Sequence, residues 1–364
     1  MLEIIDPARM PFGTVTSNDT LRRKRLNDWW PHRSVPSTRP GLIFKLSQLD
    51  MVDVSGLPVR NLGLSLSDCY WLRPHDGEAL TWDAINYFDN TFDDAAPGHW
   101  DEWLGAVGLD SPDNTSEGEL PKRWAIRGGE RVLIKGCTLD DQRPYNEVVA
   151  TALHRRLLRE GDYVPYEVTR VRDEPACLCT NFLRSEEEYV PAVYVKECLG
   201  NTRGTSMYDR FAKYAGRWTE NEEEVRVSLS KMIVCDAIIA NTDRHWRNFG
   251  FIRSVENLGM RPAPLFDSGN SLWYTTSFDQ LERGEWSFAT RPFDINPERQ
   301  LALADRLDWF EPSALDGFVD EAIELLGQSC SVMRDGKLDG IARALAERVS
   351  VVSTVVGTLR HVHR

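Results

Sequence analysis

Residues 241–250 read Asn-Thr-Asp-Arg-His-Trp-Arg-Asn-Phe-Gly, and residues 263–270 read Ala-Pro-Leu-Phe-Asp-Ser-Gly-Asn. The first string follows a stretch in which Leu229, Met232, Ile233 and Ile239 recur at helical spacing, predicting a helix over 225–240 that Asn241 ends. Residues 249–252 and 263–266 are short apolar runs, predicting paired strands around a loop. Carboxylates and amides this dense between apolar segments belong to loops whose shape is set by the elements beside them. The fold must therefore bring a helix end and a small hairpin together.

Upstream, residues 125–126 and 131–135 flank Gly128-Gly129, predicting a hairpin that turns at the glycines. Apolar residues at 145, 148, 149, 152, 153 and 157 define one face of a helix over 145–158. Residues 166–172 and 176–182 predict two more strands, joined by a turn at Asp173-Glu174-Pro175. Beyond Pro191 helices dominate, with Phe318, Ile323, Leu325 and Leu326 in one segment and residues 338–359 in another. Strands with one helix, followed by helices with a small hairpin, give an α+β class. The turn-forming stretch 108–118 places a boundary near residue 110. Before it, residues 21–30 predict a short amphipathic helix that stops at Pro31, with the basic run 22–25 as its solvated face.

A length of 364 residues suits about two domains at roughly 150 residues each. The net charge of −13 gives no overall positive field for nucleic acid or an anionic membrane. Seven cysteines without a C-x-x-C pair read as reduced thiols, and Cys177 and Cys179 as buried strand thiols rather than a zinc site. The first fifteen residues lack a charged region followed by an apolar core, and no apolar stretch approaches the roughly 18 residues that span a bilayer. A cytoplasmic protein is expected. The twelve tryptophans read as core and lobe-contact residues.

The spacing within the two polar strings has a chemical meaning. Phosphoryl transfer requires a carboxylate to orient or deprotonate the attacking hydroxyl, and hard oxygen ligands to hold Mg²⁺ against a triphosphate. Asp243 and Asn248 stand five apart, the spacing of a protein-kinase catalytic loop, and Asp267 lies in a Phe-Asp-x-Gly turn after a short strand. The same chemistry needs three further parts upstream. Lys135 closes an apolar strand, where it can neutralise phosphate oxygens, and Glu147 is placed either to hold it as an ion pair or to favour the helix dipole. Gly118, before Lys122, would let the backbone of residues 117–120 approach phosphate, or simply form a linker turn. His245 is expected to brace its loop. No G-x-S-x-G, H-E-x-x-H or G-x-x-x-x-G-K-[ST] string is present, so serine-hydrolase, zinc-protease and Walker-type chemistries lack support.

The N-x-D-R-H-x-x-N-F-G string at 241–250 and the P-L-F-D-x-G string at 264–269 resemble the HipA-like serine/threonine kinases, whose fold is similar to the phosphatidylinositol-kinase branch of the kinase superfamily. Residues 26–30 with Arg33, Pro36 and Arg39, and residues 65–71, look like the amino-terminal region of small HipA-like proteins. The resemblance implies a two-lobed, protein-kinase-like fold with a mainly helical C-terminal lobe. It divides the chain into a HipA-like subdomain (1–110), a nucleotide-binding lobe (111–190) and a helical lobe with the catalytic loop and metal site (191–364). It also implies roles: Asp243 as catalytic base, Asn248 and Asp267 as Mg²⁺ ligands, and Lys135 as the phosphate-binding lysine. Asn181, Phe182 and Leu183 would be the hinge that reads adenine. The family's phosphate loop carries a hydroxyl residue, open to self-phosphorylation, before its glycine. Here that string is Thr115-Ser116-Glu117-Gly118 followed by Lys122, with threonine where serine is usual.

The expectation is an ATP- and Mg²⁺-dependent kinase that acts on serine or threonine hydroxyls of a protein. By resemblance it would be a toxin silenced by a small helix-turn-helix partner, with neither nucleic acid nor membrane bound directly. Three alternatives stand beside it: a nucleotide-binding regulator without transfer chemistry, a kinase of lipid or small-molecule hydroxyls, and an AMP transferase.

Overall fold

A computed structural model describes residues 4–16, 18–30, 33, 56–73, 75, 79–92, 94, 112, 121–137, 141–171, 173–200 and 204–362. The boundary near residue 110 and the string Thr115, Ser116 and Gly118 lie outside the described residues. Among those described, no helix is long and apolar enough to cross a membrane.

A four-stranded antiparallel sheet forms from β1 (Lys122–Arg127), β2 (Glu130–Gly136), β3 (Tyr166–Val171) and β4 (Glu174–Thr180), in the order β1-β2-β4-β3. The β1–β2 turn is the predicted one, with Gly128 and Gly129 both at positive φ, a conformation that costs glycine little. Register then selects what faces the cleft. Lys135 lies opposite Cys177, and Leu133 opposite Cys179, which in turn lies opposite Tyr166. Directly opposed residues share a face of an antiparallel sheet, and so do residues two apart. Lys135, Leu133, Tyr166, Cys177 and Cys179 therefore form one surface. Lys135 stands on an inner strand, only 5% exposed.

The helix α2 (Gln142–Leu157) crosses that sheet, and α1 (Asp19–Trp29) precedes it in the chain. α2 begins three residues before the expected Tyr145, so Glu147 lies in its second turn. The dipole reading of Glu147 loses force there, because that field fades beyond the first turn.

A second sheet contains β5 (Glu187–Pro191), β6 (Gly250–Ser254) and β7 (Met260–Pro262), in that order. The expected partner strand at 263–266 is not formed. β6 instead pairs with the nearer Met260–Pro262, because Ser254 N–H closes a tight turn on Gly259 O at 2.9 Å. Leu265 is thereby free to bridge in parallel to Tyr163, with Leu265 N–H donating to Asp162 O and Val164 N–H to Leu265 O, each at 2.8 Å. That bridge ties the second polar string to the first sheet and brings residue 267 beneath Lys135.

The helical part includes α3 (Ala192–Glu197), α4 (Met207–Thr219), α5 (Glu222–Ile238), α6 (Phe318–Leu326) and α7 (Leu338–Val362). Ser206 and Asn221 cap α4 and α5, and Glu222, Glu223 and Glu224 occupy the first turn of α5, where negative charge offsets the helix dipole. A Cβ on Gly216 would come within 2.6 Å of Glu222 Cβ, so only glycine permits this α4–α5 approach. Phe211, Met232, Ile233, Ile238, Phe310 and Phe318 are buried in the continuous core, and each such side chain contributes about 1.5–3 kcal/mol. Leu64, Leu66, Tyr87 and Phe88 pack onto Trp124, Leu183, Ile252 and Ala263, joining these amino-terminal residues to both sheets.

Candidate active site

A cleft of about 720 Å³ opens between the first sheet and the loops that follow α5 and β7. Lys122, Lys135, Glu147, Asn181, Phe182, Leu183, Asp243, Asn248 and Asp267 all line it. Residues separated by more than a hundred positions in sequence thus meet in one cavity.

Its charged centre is a buried triad. Lys135 Nζ lies 2.9 Å from Glu147 Oε1, 2.7 Å from Asp267 Oδ1 and 3.1 Å from the Tyr166 hydroxyl. Glu147 is therefore the ion-pair partner of Lys135. Its other oxygen, Oε2, accepts Ser268 N–H at 2.8 Å, so one carboxylate holds the lysine and the Asp267 turn together. Burial alone would lower the lysine, but Asp267 and Glu147 outweigh it and hold Lys135 well above the ordinary range. Burial would raise the Asp267 carboxyl, yet Lys135, and behind it Lys122, keep it below the usual carboxylate range. Burial dominates at Glu147 and raises it against the pull of Lys135. The triad carries more negative charge than its one ammonium cancels, and the Asp267 side chain is still 39% exposed to the cleft.

Asp267 adopts φ 59°, a left-handed conformation that costs a non-glycine residue about 1–2 kcal/mol. The neighbouring bonds sustain it. Asn146 Nδ2 donates to Gly269 O and Ser271 O at 2.8 Å each, and Gln142 Nε2 donates to Leu272 O at 2.9 Å. Gln142 and Asn146 lie one helical turn apart on α2. A Cβ on Gly269 would press on Arg143 O at 3.3 Å and Glu147 Cγ at 3.4 Å, which explains glycine in that turn.

The loop after α5 is built on Arg244, which is fully buried. Its Nε and one terminal nitrogen bond both oxygens of Asp236 at 2.8 and 3.0 Å, and it also reaches Asn248 O (2.7 Å), Phe266 O (2.5 Å) and Ser268 Oγ (3.0 Å). One guanidinium thus links the 241–250 string to the Phe-Asp string. Asn241 supports the same frame, donating to Asp236 Oδ1 at 2.8 Å and accepting Asp243 N–H at 3.0 Å. Asn248 Nδ2 donates to Asp243 O at 2.9 Å, leaving its amide oxygen for a ligand. Asn270 Nδ2 donates to Asp243 Oδ2 at 2.8 Å. Asp243 Oδ1 has no hydrogen-bond donor among the described residues. His245 accepts Arg247 N–H at Nδ1, 3.2 Å away, a local brace within the loop.

At the expected hinge, Asn181 N–H is taken by Arg131 O at 2.8 Å, its Nδ2 reaches Leu66 O at 3.1 Å, and its Oδ1 accepts Leu183 N–H at 3.2 Å. Phe182 stacks near Phe266, with ring centroids 5.6 Å apart, giving the cleft an aromatic wall. Cys177 and Cys179 lie buried in the sheet beneath, where burial pushes the Cys179 thiol up to about 11.

Sequence reasoning placed Lys135, Glu147, Asp243, Asn248 and Asp267 in one site but assigned nothing to Tyr166, Arg244, Asn270, Gln142, Asn146 or Asp236. A signal for Asp236 did exist. A carboxylate inside the apolar run 232–240 is almost never buried without a partner, and Arg244 was the nearest cation downstream.

Comparison with known proteins agrees with this geometry. A family profile described as the HipA-like C-terminal domain matches residues 115–322, more than half of the chain. No curated protein sequence matches. Among solved structures, the Helicobacter pylori proinflammatory kinase CtkA is similar with a TM-score of 0.52 at 15% identity, over 67% of this chain and 95% of that one. HipA of the Shewanella oneidensis MR-1 toxin–antitoxin system, solved with HipB and operator DNA, is similar with a TM-score of 0.53 at 14% identity, over 92% of this chain and 86% of that one. These likenesses show the α+β, two-lobed, protein-kinase-like fold. With its matched domain spanning both polar strings and the sheet that carries Lys135, the chain belongs to the HipA-like kinase family.

Proposed function

We propose that the protein is an ATP- and Mg²⁺-dependent kinase that transfers the γ-phosphoryl group to a serine or threonine hydroxyl of a protein. The observation that carries this reading is the contact of Lys135 with both Glu147 (2.9 Å) and Asp267 (2.7 Å) inside the cleft that Asp243 and Asn248 also line.

The donor set fits the metal this chemistry needs. Asp267 offers an ionised, part-exposed carboxylate and Asn248 a neutral amide oxygen, the hard oxygen ligands that Mg²⁺ takes alongside phosphate and water. When bound, the ion neutralises charge on the β and γ phosphates. Lys135 is held by Glu147 where it can pair with phosphate oxygens, and Lys122 adds a second cation at the same wall. Phe182 and Leu183 border the pocket where an adenine edge would lie. Asp243 Oδ1 accepts the acceptor hydroxyl, while Asn270 fixes the other carboxylate oxygen so that the lone pair points one way. Thr115 and Ser116, ahead of Gly118, are the residues of this chain where self-phosphorylation would fall.

The HipA relative is a member of a toxin–antitoxin system and was solved with HipB, which supports a toxin role here with a small helix-turn-helix antitoxin as partner. The test is incubation of purified protein with γ-labelled ATP, Mg²⁺ and cell extract. Label should enter protein, with Asp243→Asn lowering the rate roughly 10²- to 10⁴-fold while ATP binding is kept. Absence of label in any protein, together with Asp267→Asn leaving Mg·ATP affinity unchanged, would refute the assignment.

A further inference from the structure

A second groove, of about 500 Å³, meets the nucleotide cleft at Asp243 and Asn270 and is walled by Tyr274 and the loop 289–295. That loop is rigid by construction. Gln300, 3% exposed, accepts Phe293 N–H at 3.0 Å and Asp294 N–H at 3.1 Å, and donates to Arg291 O. Thr290 closes it from the other side, N–H to Ile295 O and Oγ1 to Asp294 O, both at 3.0 Å.

The two charges on this loop differ in their use. Asp294 Oδ1 is spent on Asn296 N–H at 2.8 Å and on Arg299 at 3.0 Å. Among the described residues, the Arg291 guanidinium is paired only with Asp243 Oδ1, at 3.7 Å, too far for a hydrogen bond, and its side chain is 59% exposed. An unspent cation therefore stands beside the oxygen that takes the acceptor hydroxyl.

Resting on the kinase reading above, we infer that this groove is the acceptor site and that Arg291 selects a protein segment with an aspartate or glutamate within two residues of the phosphorylated hydroxyl. In an extended segment, side chains two apart lie on one face about 6.5–7 Å from each other, a span that Arg291 can cover from its position beside Asp243. An acidic neighbour brought there without a cation would face Asp243, Asp267 and the phosphates together, and Arg291 screens it from all three. The overall field does not help, since the chain carries −13. Selectivity then rests on this one side chain, which acts on substrate binding and not on transfer.

The test uses the full chain with Mg·ATP and an array of peptides having a central serine or threonine, with Glu, Gln or Lys fixed at each position within two residues of it. Wild type should favour Glu over Lys by about tenfold in kcat/KM, carried by KM, as expected for exchanging an attractive exposed pair for a repulsive one. Arg291→Glu should invert the order and Arg291→Lys keep it, with the Mg·ATP thermal shift and Tm of both variants matching wild type. Equal labelling of all peptides, an order that Arg291→Glu leaves unchanged, or an equal rise in kcat for every peptide in Arg291→Ala would overturn the proposal alone. So would label in extract proteins with none in the array. Label in neither would overturn the kinase reading and this proposal with it.

Discussion

Arg244 and Asp236 form a two-pronged ion pair at 2.8 and 3.0 Å with neither side chain more than 3% exposed. Neither residue lines the cleft, yet through Asn248 O and Phe266 O the pair fixes both loops that do. Removing one partner leaves a buried charge uncompensated. Asp236→Ala should therefore destabilise the fold by about 3–5 kcal/mol, read as a lowered urea midpoint. Arg244→Lys keeps the charge but not the fork, and should retain the fold better while still losing Mg·ATP affinity, because one ammonium cannot reach the acceptors on all four residues that Arg244 bonds.

Glu147→Gln keeps the shape of the triad but removes the charge that opposes Lys135. The lysine then pairs more closely with Asp267, the metal ligand proposed above, and competes with the ion for it. Mg·ATP should bind about tenfold more weakly by titration calorimetry, in the range of one lost charge-assisted bond. Lys135→Met should be worse, since Glu147 and Asp267 are then left facing each other without a cation.

Asn270→Ala frees Asp243 Oδ2 from its 2.8 Å donor. The carboxylate is then no longer aimed. Turnover should fall by roughly 10- to 100-fold with little change in nucleotide affinity, the pattern of lost positioning, measured in the same labelled-ATP assay.

His154 offers a pH prediction independent of catalysis. It is 3% exposed, its Nε2 has no hydrogen-bond partner among the described residues, and burial, with Arg244 adding to it, pushes its pKa down to about 3. The unfolded chain binds that proton near pH 6.5 and the folded one does not. This contribution to stability is complete above pH 6.5 and is lost as pH falls towards 3, at up to about 1.4 kcal/mol per pH unit. His154→Phe, which can keep the ring contact with Tyr163 at 5.5 Å, should flatten the dependence of unfolding free energy on pH across that window.

Much of this site could be read from the one-dimensional chain. The 241–250 loop and the Phe-Asp turn are short strings in which donor and acceptor types sit at fixed spacing, and Lys135 is marked by the apolar strand that it ends. Gly128-Gly129 marks a turn because backbone conformation is a local property. Local rules failed at 263–266, where only Ala263 keeps a bond to β6, its N–H reaching Gly250 O at 3.0 Å, and Leu265 bridges to Tyr163 instead. They also missed β5, whose Glu187 and Glu188 hide a strand whose glutamates are buried against Arg261 and Arg253.

Amino-acid order alone therefore determined which residues carry charge, which turns the backbone takes and which segments can be strand or helix, since each follows from side-chain chemistry within a few positions. Only the tertiary structure decided that Glu147 serves Lys135 rather than its own helix, that Arg244 joins two loops, and that Arg291 stands beside Asp243. Those outcomes depend on register and on the burial of charge across long separations in the chain, where a partner's energy is set by the dielectric around it and not by its distance in sequence.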